Sequence, residues 1–388
     1  MAQEVNYSHF RTTPTVIFGP GALAALPEQI EFLAGSKVFI ATDAGVAESG
    51  ILSQAEALLT GAGIKFESYS QVPPEPPTTS IDACADAIAK SGADVVVGLG
   101  GGSAMDTSQV AACGVANGLT TEQMLGVDVI PKPGLPTIAI PTTAGTASEV
   151  TGNAVAVLPD GSNKMAVVSP YIYPRTALVD PDLTHSVPAS ITAYTGVDAF
   201  CHAAESYISN RATRHTQMYA TQAMRLILGN LADAYNDGNN SRARSHMARG
   251  SLMAGYTLAN AGTTMVHALA HVLGARARVP HGLANAIFLL PIMQFYAERV
   301  PEKIDGLAGA VGVPDSVTDT QARADQAVAI MKKMVNDVEI DRNLGNYDVK
   351  KSDLRGYAEA AVATRRLMLQ SPVDATVEDV EGILEEIY

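Results

Sequence analysis

The distribution of hydrophobic and polar residues differs between the two halves of the chain. In the first half, short runs of β-branched and other apolar residues alternate with stretches of helical period, which is the pattern of successive βα units. The run at residues 93–99 is apolar on both faces, as in a strand inside a parallel sheet. We therefore predict a doubly wound α/β sheet with helices on both faces. Strands are predicted at residues 14–18, 36–42, 65–69, 93–99 and 137–141, and helices from the second strand to about residue 59 and at about 80–91.

The second half is helical in period, and strand signals almost vanish after residue 190. The change falls at residues 185–188, so we predict two domains: an α/β domain over residues 1–187 and an all-helical domain over residues 188–388. A polar run at residues 236–241 is predicted to be an exposed loop. Helices are predicted at about 190–207, 216–232, 245–259, 264–275 and 283–299, with two or three more before the C-terminus.

Composition excludes several classes of protein. The 388 residues are enough for two domains, and 47% hydrophobic residues can bury a large core. The formal charge is −14 and no basic run occurs, which argues against nucleic acid as a partner. The apolar stretch at 284–295 is too short to cross a membrane. No secretion signal is indicated, and no CxxC pair joins the three cysteines, so we expect a cytoplasmic protein without a zinc ribbon or disulfide framework.

One carboxylate and several histidines indicate a metal site. Asp198 and His202 are four residues apart, so on a helix they share a face, and His267, His271 and His281 follow further along the chain. Three imidazoles and one carboxylate would bring a single negative charge to a divalent cation and leave a coordination position open, as catalytic metals require. Imidazole suits both iron(II) and zinc, and the sequence alone does not choose between them. The alternative is that these are hydrogen-bonded polar groups of a helical core.

A glycine-rich turn follows the strand at residues 93–99. Gly100, Gly101, Gly102 and Ser103 open a helix there, and such a turn allows a phosphate to approach the backbone and the helix N-terminus closely. The turn matches neither GxGxxG nor the Walker A pattern, so a plain tight turn remains an alternative. The hydroxyl-rich segment 141–151 follows another strand and suits either a cofactor cleft or a helix-capping loop.

Asp43 directly follows the second predicted strand. A carboxylate at this place can accept hydrogen bonds from a ribose diol and would repel a 2′-phosphate, which favours NAD over NADP. The alternative is an ordinary N-cap of the following helix.

Together these motifs resemble the iron-containing (group III) alcohol dehydrogenase family over nearly the whole chain. The most specific matches are residues 100–106, 141–151, 196–202 and 267–281. The resemblance implies an N-terminal Rossmann-like dinucleotide-binding domain and an all-α C-terminal domain, in a dehydroquinate synthase-like architecture. It implies reversible hydride transfer between NAD and a primary alcohol or aldehyde, with the substrate oxygen on a divalent metal, usually iron and possibly zinc. A homo-oligomer, a dimer or larger, is also implied.

The resemblance also assigns roles to individual residues. His271 matches a histidine near the nicotinamide, and we consider it a candidate proton relay. The sequence departs from many members at Val272 and at residues 371–373, which leaves the substrate open. The implied metal ligands are Asp198, His202, His267 and His281. The implied cofactor-binding residues are Asp43, Gly101, Gly102, Ser103, Thr142, Thr143, Thr146 and Lys164.

Other activities remain possible on the same fold. Glycerol-dehydrogenase-like and dehydroquinate-synthase-like proteins share the architecture with other ligand sets, and a hydroxyacid–oxoacid transhydrogenase would retain its cofactor between half-reactions. A non-catalytic nucleotide-binding protein is a further alternative. The particular alcohol, the metal, the oligomeric state and the physiological direction stay open at this point.

Overall fold

The computed structural model describes residues 8–159 and 164–388 of the chain. Its strands and the helices between them precede a series of helices, in the order that the hydrophobic pattern predicts. The strands are β1 (Thr15–Phe18), β2 (Lys37–Ala41), β3 (Lys65–Tyr69), β4 (Val95–Gly100), β5 (Gly126–Val127), β6 (Thr137–Pro141), β7 (Asn153–Val157), β8 (Lys164–Val168) and β9 (Thr176–Val179).

The helices divide into six that accompany these strands and a continuous series after residue 188. Those of the first part are α1 (Leu26–Phe32), α2 (Ala44–Glu48), α3 (Ile51–Gly61), α4 (Thr78–Ser91), α5 (Gly102–Asn117) and α6 (Thr121–Met124). The series that follows consists of α7 (Ala189–Ile208), α8 (Arg214–Leu228), α9 (Leu231–Asn236), α10 (Ser241–Ala261), α11 (Met265–Ala277), α12 (His281–Arg299), α13 (Pro301–Val311), α14 (Thr320–Asp337), α15 (Leu354–Ala363), α16 (Arg365–Met368) and α17 (Val377–Glu386).

The main sheet has six parallel strands in the order β1-β9-β6-β4-β2-β3. All five predicted strands belong to it, so the prediction of a parallel α/β sheet followed by a helical region is confirmed. The sixth strand, β9, lies between β1 and β6 and was not predicted. A strand of four residues, of which three are apolar, is too short for periodicity to identify.

Both faces of the sheet are covered, and alternate side chains of its central strand, β4, therefore enter different cores. Val95 and Val97 join the cluster that includes Leu26 and Leu59, from α1 and α3. Val96 joins the opposite cluster with residues of α4 and α5. This two-sided burial accounts for the continuous apolar run of β4.

Three details differ from the sequence-based prediction. The single helix expected up to residue 59 is two helices, separated at Gly50, whose φ of 82° is unfavourable for other residues. A small sheet of β5, β8 and β7 adds a ladder that the sequence did not indicate. Five helices, α13–α17, follow residue 300 where two or three were predicted, since short helices between polar loops carry little periodicity.

The helical region has its own core. Its largest fully buried side chains include Phe200, Phe288 and Tyr296, which pack between α7, α11 and α12 and their neighbours. Helix α7 contacts α8, α9, α10, α12 and α13, so it lies inside the bundle. Within residues 8–159 and 164–388, no helix combines the length and apolar character needed to span a membrane.

Candidate active site

Three helices bring one carboxylate and three imidazoles to a single point. Asp198 and His202 lie one turn apart on α7, His267 lies on α11, and His281 is the first residue of α12. Asp198 Oδ1 is 3.7 Å from His202 Nε2, 3.7 Å from His267 Nε2 and 3.9 Å from His281 Nε2. All four donor atoms fall within 4.8 Å of one another. This is a convergent donor set of the kind that holds iron(II) or zinc.

The turn between α11 and α12 positions His281. Helix α11 ends at Ala277, the next residue, Arg278, adopts the left-handed conformation with φ 55°, and Pro280 precedes the first residue of α12. The reversal is therefore tight, and it returns the chain so that His281 lies beside His267, with ring centroids 5.5 Å apart.

Glu205 orients His267 by contacting Nδ1, the ring nitrogen that does not face Asp198. This carboxylate is fully buried on α7, and its Oε2 accepts a hydrogen bond from His267 Nδ1. Its Oε1 accepts from Thr264 N at 2.9 Å, Thr264 Oγ1 at 2.6 Å and Val266 N at 2.9 Å. A proton on Nδ1 leaves the lone pair on Nε2, which faces Asp198. Carboxylates commonly orient metal-binding histidines in this way.

Asn285 lies at the centre of the same cluster. Its Nδ2 donates to Asp198 Oδ1 at 2.6 Å and lies 3.2 Å from both His267 Nε2 and His281 Nε2. An amide has two hydrogens for these three acceptors, and its own Oδ1 is buried without a hydrogen-bond partner in the described residues. It is energetically unfavourable to bury several acceptor atoms close together with too few hydrogen-bond donors, unless a cation binds between them. The residues therefore fit a divalent metal.

Burial keeps the imidazoles neutral. It lowers the pKa of His267 and of His271 to about 3, and it lowers the pKa of His281 well below its ordinary range, with neighbouring imidazoles as a smaller cause. Neutral imidazole is the form that binds a metal.

The glycine-rich turn lies at the carboxyl ends of the parallel strands. Helix α5 begins after Gly101 without a side-chain cap, so its first N–H groups remain available to an anion. A Cβ on Gly102 would lie 2.8 Å from Thr146 Cγ2, and one on Gly101 would lie 3.5 Å from Thr143 Oγ1. The hydroxyl-rich segment thus packs directly on the turn. Thr142 N donates to Gly100 O at 3.0 Å, which joins the two segments.

Asp43 caps a helix with one carboxylate oxygen and directs the other towards the glycine-rich turn. Its Oδ1 accepts from Val46 N at 3.0 Å and caps α2. Its Oδ2 points towards Gly100, where an added Cβ would approach it to 3.1 Å. The capping interpretation therefore holds for one oxygen, and the other lies beside the glycine-rich turn.

A cavity of about 170 Å³ connects the turn to the histidines. Lys164 lines it and forms an ion pair with Glu75, Nζ to Oε1 2.6 Å. His271 lines this cavity and also a second one of about 490 Å³ beside it, so its imidazole lies in their shared wall. The lining of the first cavity includes Gly102, Ser103, Thr146, Lys164, His202, His267, His271, His281 and Arg366.

Four residues of this region were not identified from the sequence. Glu205 continues the face of Asp198 and His202 by a further turn, and Asn285 lies four residues after His281, so helical spacing could have indicated both. Glu75 and Arg366 come from distant loops and helices, and no spacing signal connects them to the site. The structure also locates the positions where the sequence departs from many family members. Val272 lines the second cavity, and Ser371 Oγ is hydrogen-bonded to Tyr296 OH at 2.9 Å.

Comparison with known families agrees with this geometry. The sequence model of "Iron-containing alcohol dehydrogenase" matches residues 13–181, and that of "Fe-containing alcohol dehydrogenase family, C-terminal" matches residues 192–388. The chain belongs to the iron-containing alcohol dehydrogenase family. It is therefore an oxidoreductase of the alcohol and aldehyde class, and the family predicted from the motifs is confirmed.

Relatives of this iron-containing alcohol dehydrogenase extend over its full length. A sulfoacetaldehyde reductase of Bilophila wadsworthia (strain 3_1_6) is 37% identical over 96% of this chain and 97% of its own. A solved 1,3-propanediol oxidoreductase has a TM-score of 0.95 at 32% identity, covering 99% of this chain and 100% of its own. The solved sulfoacetaldehyde reductase of Bifidobacterium kashiwanohense, in complex with NAD+, has a TM-score of 0.86 at 26% identity and covers 99% of both chains.

Proposed function

We propose that this protein is a metal-dependent NAD(H)-linked alcohol dehydrogenase or aldehyde reductase. The observation that carries the proposal is the convergence of Asp198, His202, His267 and His281 in a cavity that also reaches the glycine-rich turn at Gly102. A hydride donor and a metal would thus meet in one cavity. Family membership supports iron as the metal, and the NAD+ complex of a relative supports the cofactor.

The four convergent residues are proposed as the ligands of one divalent metal. Such a metal supplies Lewis acidity towards a carbonyl or alcohol oxygen. Glu205 keeps the lone pair of His267 Nε2 directed into the cluster through its contact with Nδ1. Asn285 stabilises the Asp198 carboxylate through its amide hydrogen bond. The cluster carries one formal negative charge when the imidazoles are neutral, which leaves a positive net charge on a divalent ion and its ligands.

The cofactor residues are proposed to divide along the cavity. Gly101, Gly102 and Ser103 would receive the pyrophosphate at the uncapped end of α5, and Thr142, Thr143 and Thr146 would contribute hydroxyl groups beside it. The free oxygen of Asp43 would accept from the adenosine ribose. Lys164 would lie near the nicotinamide end, because it lines the same cavity as the histidines. NAD supplies the hydride chemistry itself.

His271 is proposed to carry a proton between the cavity and solvent. Reduction of an aldehyde by NADH consumes one proton and oxidation of the alcohol releases one. The neutral imidazole of His271 offers one N–H and one lone pair, and it lies in the wall between the two cavities.

Three further features are proposed: the domain boundary, the compartment and the oligomeric state. The domain boundary lies at residues 187/188, after β9 and before α7. The enzyme works in the cytoplasm, since Cys84, Cys113 and Cys201 are all buried free thiols. It forms a homo-oligomer, as the family resemblance implies. Its relatives' names include both an anionic aldehyde and a neutral diol, so substrates of both kinds are candidates.

Metal removal and a ligand variant test the proposed function. Purified protein should bind about one divalent ion per chain, lose NADH-dependent aldehyde reduction on treatment with a chelator, and regain it with iron(II) under anaerobic conditions. His281→Ala should lower metal affinity at least 10- to 100-fold, the loss usual for groups that only support a ligand. Full activity in metal-free protein would refute the proposal, and normal metal content in His281→Ala would remove that residue from the ligand set.

A further inference from the structure

Arg366 lines the cavity but has no role in the proposed function. It lies on α16, which packs against α11, the helix of His267 and His271. Its backbone carbonyl accepts from Gln370 Nε2 at 3.0 Å. Its guanidinium forms no hydrogen bond or ion pair with the residues that the structure describes.

The other charged groups of the cavity are compensated. The ammonium of Lys164 is paired with Glu75. The carboxyl of Asp106 accepts from Val155 N at 2.9 Å, and burial raises its pKa to about 7. Arg366 is therefore the cation of this lining that has no opposite charge beside it in the described chain.

The surroundings of Arg366 add positive charge. Burial lowers the pKa of its guanidinium, and the nearby Arg211 lowers it further. The second cavity shares Lys164 and Arg366 with the first and adds Arg276, which stacks on the Tyr357 ring at 5.1 Å, and none of its described lining residues is acidic. Arg366 is exposed and its guanidinium has no counter-charge among the described residues, so an anion that reaches it would gain charge-assisted hydrogen bonds.

We propose that Arg366 binds an anionic group carried by the substrate, so that the preferred substrates are short aldehydes or alcohols with a sulfonate or carboxylate. This inference rests on the proposed function and selects among its candidate substrates. The guanidinium fork can donate two parallel hydrogen bonds to either anion. The cavity of about 170 Å³ holds roughly six waters at about 30 Å³ each. A nicotinamide would take part of that room, which leaves space for a chain of few carbons.

Competing substrates in the metal-loaded enzyme test the proposal. With NADH, kcat/KM is measured for sulfoacetaldehyde, for succinic semialdehyde and for neutral propanal, in the wild type and in Arg366→Met. We expect the wild type to prefer an anionic aldehyde, and the ratio of anionic to neutral kcat/KM to fall about 30- to 1,000-fold in the variant, because charge-assisted hydrogen bonds are lost. Of the sulfonate and carboxylate substrates, the one whose ratio falls further carries the anion that Arg366 binds better. Arg365→Met is the matched control, since Arg365 is exposed, adjacent and outside the cavity lining, and it should keep the wild-type ratio.

Binding without turnover gives a second measurement. Ethanesulfonate and propionate cannot react, and at least one should raise the melting temperature of the wild type and of Arg365→Met but not of Arg366→Met. Arg366→Lys keeps the positive charge but loses the planar guanidinium, so it should lower the ratio of anionic to neutral kcat/KM about 3- to 30-fold. This variant provides the test if Arg366→Met fails to fold. A wild type that prefers propanal, or an unchanged ratio in the Arg366 variants, overturns the inference. Absence of any aldehyde reduction by metal-loaded wild type would instead refute the proposed function.

Discussion

Replacement of Glu205 by glutamine should change the tautomer of His267. The substitution conserves size, but one acceptor oxygen becomes an NH2 donor. If the glutamine oxygen keeps the three hydrogen bonds from Thr264 and Val266, its NH2 faces His267 Nδ1. Nδ1 must then accept, and the proton moves to Nε2, where the lone pair for the metal should be.

The opposite orientation of the glutamine is less favourable. It would restore an acceptor for Nδ1 but lose three hydrogen bonds at about 1 kcal/mol each, and it would leave buried donors unsatisfied. The first orientation loses one charge-assisted bond, about 1.5–3 kcal/mol. The glutamine oxygen should therefore keep its hydrogen bonds from Thr264 and Val266, and the His267 proton should move from Nδ1 to Nε2. Metal affinity should fall about 10- to 100-fold, or about 1.4–2.7 kcal/mol at 1.4 kcal/mol per tenfold.

A metal titration and a tautomer measurement check this expectation. Metal-free wild type and Glu205→Gln are titrated with zinc(II) against a competing chelator, and the His267 tautomer is determined from imidazole nitrogen NMR shifts. Glu149→Gln is the matched control, since Glu149 is also a buried carboxyl whose pKa burial raises to about 7, but it does not contact the histidines. Wild-type metal affinity in Glu205→Gln, with the proton still on Nδ1, would refute the reasoning.

Three other variants have defined outcomes. His271→Ala should reduce kcat and alter its pH profile while metal content stays near normal, and an equal loss of metal would make His271 a ligand. Asp43→Gly should reduce the preference for NAD over NADP and, because Oδ1 caps α2, lower stability slightly, by about 0.3 kcal/mol. Comparing kcat/KM for both cofactors beside a melting curve separates the roles, and a lower melting temperature at an unchanged cofactor ratio would reject the ribose contact. Burial raises the pKa of Glu149 from 4.5 to about 7, so its folded form holds a proton that the unfolded chain releases, and stability falls as pH rises from about 4.5 to 7. Glu149→Gln should remove up to about 3 kcal/mol of this loss, visible as a flatter melting temperature between pH 5 and 8, and an unchanged slope would contradict the buried-carboxyl account.

The sequence was most informative where periodicity and local chemistry coincide. The run at residues 93–99 identified a central strand because both of its faces are buried, and the glycines after it indicated a turn into a helix. Asp198 and His202 are four residues apart, as are His267 and His271. Helical geometry therefore predicted that each pair shares one face of its helix. Strand β9 and the small sheet were missed because short runs take their structure from partners that lie far away in the chain.

The sequence by itself determined the order of strands and helices, the place of the glycine-rich turn and the residue types available for a metal. Only the tertiary structure decided which atoms meet. The Asp198 carboxylate approaches His267 and His281 because α7, α11 and α12 pack together, and that packing depends on apolar side chains such as Phe200 and Phe288 spread over the helical core. Arg366 reaches the same cavity through the packing of α16 on α11. Spacing in sequence fixes neighbours on one helix, whereas the meeting of different helices depends on the burial of their combined surface.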